Sequence, residues 1–348
     1  MNLLKYTFEI SIAGCNTECA HCYISGGKST IISLENYKEA ISKLNIILKK
    51  LNGKIHVTIG NEIFIHPQIS DILSLMTEQI PEYFSYDGLN GYVPTTGIAL
   101  LNRKDRNTVL TSLKSAGCTG FMLTIHGNKE HHNLIAKNNL AFDSAISSIK
   151  WLQSEGFKIK INLMLNKFLC DDWQTINGIL SDNPDAESRI TIPLYIPVDR
   201  LRAFQQYRAE YNDCMKLQGK FDKNDFFENC EKNIFEKLCN GLCFDYVEEE
   251  QWAFFNITQT FDIFYGNVGM HTQLLGNLLG DDPDELFNKI SSLPSNCDWQ
   301  AFYDIKKLPP VSSIICNMEP LTTNFVYPSI NDCIYSWFDK IGIPNIFI

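Results

Sequence analysis

Gly14-Cys15-Asn16-Thr17-Glu18-Cys19-Ala20-His21-Cys22-Tyr23 sets three cysteines at the spacing C-x3-C-x2-C. The stretch follows directly on YTFEISI at 6–12, a run that predicts a β-strand feeding its carboxyl end into the cysteine loop. Loops beyond strand ends are where α/β proteins build their sites. Three thiolates on one loop can each hold one iron of a cubane 4Fe–4S cluster. The fourth iron is then open to a substrate or cofactor. Zinc is the competing reading, and it would make the chain a non-catalytic zinc-binding scaffold. A closed zinc site wants four ligands, and His21 would have to serve from between two cysteines with no second C-x2-C pair nearby.

Outward from this loop, strand-like and helix-like segments alternate. Residues 34–51 carry apolar positions at helical spacing behind Ser33, a candidate N-cap. Strands are predicted at 55–59, 93–100, 120–125, 157–165 and 190–196, with helices at 68–79, 104–116, 140–155 and 172–181 between them. About six βα units imply a parallel sheet. The predicted fold class is therefore α/β, a partial (β/α)6 TIM-type barrel with a smaller mixed α+β C-terminal region. The rhythm changes near residue 200, which divides the chain into 1–199 and 200–348. Beyond that point 201–238 reads as helical, 252–268 as a β-hairpin, and 281–290 as a capped helix with Pro283 in its first turn.

Composition narrows the function classes. Of 348 residues 45% are hydrophobic and 20% charged, which suits a packed core rather than a disordered chain. Thirty basic against forty acidic residues leave a net charge of −10, which argues against nucleic acid as the main partner. No run approaches the ~18 apolar residues of a membrane span. The start, MNLLKYTFEIS, lacks the pattern of a secretory signal, so a cytoplasmic location is expected. In a reducing compartment, twelve cysteines with three crowded on one loop point to metal rather than disulfides.

The C-x3-C-x2-C loop, with an aromatic after its last cysteine and a strand before it, resembles the radical S-adenosylmethionine (radical SAM) superfamily over roughly residues 6–196. The resemblance makes 1–199 the core barrel and Cys15, Cys19 and Cys22 the ligands of a 4Fe–4S cluster. The amino and carboxylate groups of SAM would chelate the open iron. Reductive cleavage of SAM would yield a 5′-deoxyadenosyl radical that removes hydrogen from a substrate, the cofactor supplying the chemistry and the protein the positioning. Gly60-Asn61-Glu62 resembles the family's GGE motif, which meets the SAM amino group; Asn61 departs from it. Thr124 stands in a stretch like S-x-D-G, with His126 in place of the acid, and its hydroxyl would reach SAM. Lys137 stands near where relatives carry an arginine for the SAM carboxylate. Asn162, near the ribose, and Leu194 and Tyr23, at the adenine, complete the implied cofactor contacts.

A second resemblance joins Gly266-Asn267-Val268-Gly269-Met270-His271 and the following LGNL and DPDELFNKI to the SPASM or twitch extension, which holds auxiliary iron–sulfur clusters in many relatives acting on peptides. Its usual cysteine is His271 here, and no C-x2-C cluster follows Cys239, Cys243, Cys297, Cys316 and Cys333. The expectation is a single cluster, with a second one as the alternative. The implied substrate is a peptide or a small metabolite. An electron donor such as a flavodoxin or ferredoxin is the implied partner. With the first strand so near the start, a leader-recognition domain is not expected before it. Cys170, Cys214 and Cys230 are candidate hydrogen donors.

Overall fold

The computed structural model describes residues 5–22, 27, 30–86, 92–195, 199–217, 230–239, 252–266, 273–293, 323–328 and 330–340. The barrel half runs β1 (Lys5–Ser11), α1 (Leu34–Lys50), β2 (Lys54–Gly60), α2 (Ile69–Gln79), β3 (Val93–Thr95), α3 (Ile98–Asn102), α4 (Arg106–Ser115) and β4 (Gly120–Ile125). It continues with α5 (Lys129–Ala136), α6 (Ala141–Ser154), β5 (Lys158–Met164), α7 (Lys167–Asp171), α8 (Trp173–Ser181) and β6 (Glu187–Thr191). After it come α9 (Asp199–Phe204), α10 (Tyr211–Cys214), α11 (Glu231–Cys239), β7 (Trp252–Ile257), β8 (Asp262–Tyr265), β9 (Gln273–Asn277), α12 (Pro283–Ser291) and α13 (Ile330–Lys340).

The strands form two sheets, ordered β2-β1-β7-β8-β9 and β3-β4-β5-β6. Every pairing among β1 to β6 is parallel, as the βα alternation predicts. Between β2 and β3 the described residues make no ladder, only a bridge from Val57 to Phe84, so the barrel is incomplete there. The predicted hairpin is β7 and β8, paired antiparallel. β7 lies parallel beside β1, so strands from beyond residue 200 extend the sheet that carries the cysteine loop. No described helix is long and apolar enough to cross a membrane.

Each strand divides its residues by period two. Phe8 and Ile10 on β1, Val57 on β2, and Phe121, Leu123 and Ile125 on β4 join the main core with helices α1, α2 and α4. Their alternates Glu9, Thr58, Gly60, Met122 and Thr124 line a cavity inside the strands instead. A parallel sheet covered on both faces usually reads as continuous apolar runs. Polar alternates here leave the interior open at its carboxyl end.

Local signals explain most element ends. Ser33 Oγ accepts from Asn36 N, capping α1 as expected. Asp282 caps α12 behind Pro283. The strand expected over 93–100 stops at Thr95: Gly97, at φ +79°, turns the chain, and α3 begins at Ile98. The last barrel strand is 187–191 rather than 190–196, ending before Pro193. Helix α5 was not predicted. Two histidines and an asparagine dilute its apolar pattern, and its start is set by Asn128, whose Oδ1 accepts from His131 N.

The loop after β4 is clamped from α8's N-terminus. Asp172, buried, accepts from Asn128 N at 2.8 Å, Asn128 Nδ2 at 2.8 Å and His131 Nδ1 at 2.7 Å. Gly127, at φ +151°, leaves room for this carboxylate, which a methyl group there would overlap. Asp172→Ala is therefore expected to lower the unfolding free energy by about 2–3 kcal/mol, the worth of several hydrogen bonds to one buried charge. Denaturant titration checks this, and a change below about 0.5 kcal/mol would show that the loop stands without the clamp.

Candidate active site

The cysteine loop leaves β1 at Ser11 and is tied down by main-chain bonds. Cys15 N donates to Gly27 O at 2.9 Å, Ala20 N to Ile135 O at 2.8 Å, and Cys22 N to Cys19 O at 3.1 Å. Asn138 Nδ2 holds Asn16 O at 2.9 Å. The buried Thr17 hydroxyl sits between two of the thiols, 3.1 Å from Cys15 Sγ and accepting from Cys19 Sγ at 3.4 Å. Cys15, Cys19 and Cys22 are half-buried and all three line one cavity of about 400 Å³. Burial, with the Glu62 carboxylate nearby, pushes the Cys15 thiol up; burial pushes Cys19 up to about 12.

Beside the loop, the turn after the neighbouring strand β2 supplies Gly60, Asn61 and Glu62 to the same cavity. Asn61 takes φ +67°, a left-handed conformation that asparagine tolerates, and its Nδ2 donates to Ser11 Oγ at 3.0 Å. Glu62 is 3% exposed. Its Oε1 accepts from Thr95 Oγ1 at 2.9 Å, and its Oε2 from Thr96 N at 2.6 Å and Thr96 Oγ1 at 2.8 Å. Burial raises its carboxyl, while these donors hold it back. Glu62 thus also ends β3 and bridges the gap in the barrel, a role absent from the sequence reading.

The other expected contacts divide. Thr124 lines the cavity, and Asn162 Nδ2 donates to its hydroxyl at 3.3 Å. Asn162 is itself buried below it, its Oδ1 accepting from Arg189 Nε at 3.0 Å and Thr191 Oγ1 at 2.5 Å. Lys137 is exposed at the C-terminus of α5, at φ +52°, off the cavity wall. Leu194 is half-buried and also off the wall, its carbonyl accepting from Arg208 Nη2 at 3.0 Å. Tyr23 lies outside the described residues.

Cys170, Cys214 and Cys230 are packed in the main core rather than on the wall, and burial, with Cys170 nearby, pushes the Cys214 thiol up. Of the C-terminal cysteines, Cys333 is buried on α13. Cys243, Cys297, Cys316 and His271 lie outside the described residues, as does the Cys239 side chain.

The structure adds histidines that the sequence reading did not gather. His21, His126 and His132 all line the cavity, with ring centroids 4.7 Å apart between His21 and His126 and 4.9 Å between His126 and His132. Burial pushes His21 and His132 down to about 4 and His126 well below the usual histidine range. All three are therefore neutral near pH 7. The spacing of His126 and His132 across the β4–α5 turn was the available signal.

The donor set fits a cluster. Three thiols face one cavity from a loop whose main chain is already satisfied. Among the described residues, no lysine or arginine lines the cavity to compensate thiolates. Iron would supply the positive charge that ionises them. Residues 10–176 match the family model of the radical SAM superfamily. This chain carries a radical SAM domain. Members of the superfamily are enzymes, and the domain takes a 4Fe–4S cluster and S-adenosylmethionine.

Solved structures of similar fold include native anSMEcpe with bound AdoMet and Kp18Cys peptide, 13% identical with a TM-score of 0.56, the match covering 96% of this chain and 96% of that one. Streptococcus suis SuiB bound to precursor peptide SuiA is 15% identical with a TM-score of 0.50, over 84% of this chain and 67% of that one. At such identities the likeness is one of fold. No curated protein matches the chain in sequence.

Proposed function

We propose that this radical SAM domain cleaves SAM reductively and removes a hydrogen atom from a peptide substrate held in the same cavity. The observation that carries this reading is the convergence of Cys15, Cys19 and Cys22 with Gly60, Glu62 and Thr124 on one wall. Bound at the three thiols, the cluster would supply one electron to the sulfonium of SAM, releasing methionine and a 5′-deoxyadenosyl radical.

The remaining work falls to the chain. Glu62, oriented by Thr95 and Thr96, offers a carboxylate to the SAM ammonium, beside a glycine that lets the backbone come close. Thr124, set by Asn162, presents a hydroxyl to the same ligand. The apolar lining from Met122, Val93, Ala136 and Ala141 helps keep water from a radical. The peptide preference is supported by the folds of anSMEcpe and SuiB, which hold peptides in the structures named above. Residues 200–348 are proposed as the region that covers the substrate.

Anaerobic reconstitution with iron and sulfide, then dithionite and SAM, is expected to yield 5′-deoxyadenosine. A protein that takes up iron but forms none would end the catalytic reading. One observation favours a second reading: Cys19 Sγ and one imidazole nitrogen each of His21 and His126 lie within 4.8 Å of one another, a set that suits zinc. A colourless protein with one tightly held zinc would establish it instead.

A further inference from the structure

Two carboxyl groups of the described residues line the cavity, Glu9 and Glu62, and they are placed differently. Glu62 is held by Thr95 and Thr96. Glu9 has no hydrogen-bond or ion-pair partner among the described residues, and burial alone pushes its carboxyl up to about 7. Its position is defined by β1. Glu9 pairs in register with Thr58 on β2 and with Asn256 on β7, so the three side chains leave the same face of the sheet. Asn256 is 2% exposed, and its Nδ2 has no partner among the described residues. One step nearer the mouth, the Glu9 carboxyl lies over Gly60, where a methyl group would overlap it.

A half-buried carboxylate without a counter-ion, beside an unsatisfied buried amide, is costly for a fold to keep. Glu9 and Thr58 line the cavity, with Asn256 in register beside Glu9 just behind the lining; a carboxylate so placed in a cleft marks a ligand position. The missing complement is a cation with several N–H groups. Among the described residues, no lysine or arginine of the lining provides one. A substrate ammonium would donate to the Glu9 carboxylate, to the Thr58 hydroxyl and, with the amide turned, to Asn256 Oδ1.

We propose that Glu9, with Thr58 and Asn256, forms a cation-binding subsite that receives an ammonium group of the substrate. This deepens the reading of the cavity as the place where SAM meets its substrate, and it rests on that reading. SAM itself carries an ammonium and a sulfonium, so the experiment must separate the two sources of positive charge.

The test uses iron-reconstituted protein saturated with SAM and two probes of matched size and opposite charge, butylammonium and butanoate, followed by saturation-transfer NMR. Wild type is expected to bind butylammonium at least about tenfold more tightly than butanoate, and Glu9→Gln to erase that preference. Asn256→Asp, which adds a second carboxylate beside the first, is expected to strengthen it, a gain that misfolding cannot imitate. SAM affinity should stay within about twofold of wild type in Glu9→Gln. Equal binding of the two probes by wild type overturns the subsite. A tenfold loss of SAM affinity in Glu9→Gln also overturns it, by giving the carboxylate to the cofactor. Iron content and 5′-deoxyadenosine are measured on the same samples. Their absence counts against the radical SAM reading, whereas probe selectivity reports on Glu9 alone.

Discussion

Replacing any one of Cys15, Cys19 or Cys22 with alanine is expected to abolish SAM cleavage and to remove most of the bound iron, with little change in stability. The expectation comes from how the loop is held. Its shape depends on main-chain bonds from Cys15 N, Ala20 N and Cys22 N and on Asn138, none of which uses a thiol. The three side chains are only half-buried, so cutting one back to a methyl group costs about 1 kcal/mol of folding energy. The metal site has no such reserve, because two thiolates cannot hold a cubane that needs three. Iron analysis, the charge-transfer absorption at about 400 nm and 5′-deoxyadenosine formation are the readouts. Normal cleavage in any one variant would remove that cysteine from the cluster. Retention of one zinc by the Cys15→Ala, Cys22→Ala double variant would point to the Cys19, His21 and His126 set instead.

Glu62→Ala is expected to act twice, and the two effects can be separated. Deleting the carboxylate leaves the Thr95 and Thr96 hydroxyls and Thr96 N without their buried acceptor, which should cost about 2–4 kcal/mol. It should also weaken SAM binding by about tenfold or more, the loss of a charge-assisted contact to an ammonium. Iron content should stay close to that of wild type. Thr96→Val supplies the comparison: it removes one donor to Glu62 and disturbs the turn, but keeps the carboxylate. SAM affinity in Glu62→Ala equal to that in Thr96→Val would leave Glu62 with a structural role alone.

Much of the site was legible because cysteine spacing along a loop needs no tertiary information. The same is true of Gly60 and Glu62, which follow a strand that alternation predicts. The errors share a cause. Residues 93–100 carry enough β-forming side chains to read as one strand, but Glu62 pulls the Thr95 and Thr96 hydroxyls inward and Gly97 turns the chain, so the strand ends early. Lys137 stands at a plausible distance along the chain from Thr124, yet the α5 helix between them carries it out to solvent. Nothing in the sequence alone singles out Glu9, because a single acid in an apolar strand looks ordinary until its neighbours are known. The alternation of Thr7, Glu9 and Ser11 against Phe8 and Ile10 was the available signal that the strand's inner face is polar.

The order of residues alone determined the βα rhythm, the parallel pairing and the crowding of three thiols on one loop, because each of these depends on periodicity or spacing within a few residues of chain. Only the tertiary structure decided that β7 lies beside β1, that Asn256 therefore stands next to Glu9, and that His126 and His132 meet His21 across the cavity. Such contacts join residues from about one hundred to nearly two hundred and fifty positions apart. They arise from which strand faces bury together, a cooperative choice that no local stretch encodes.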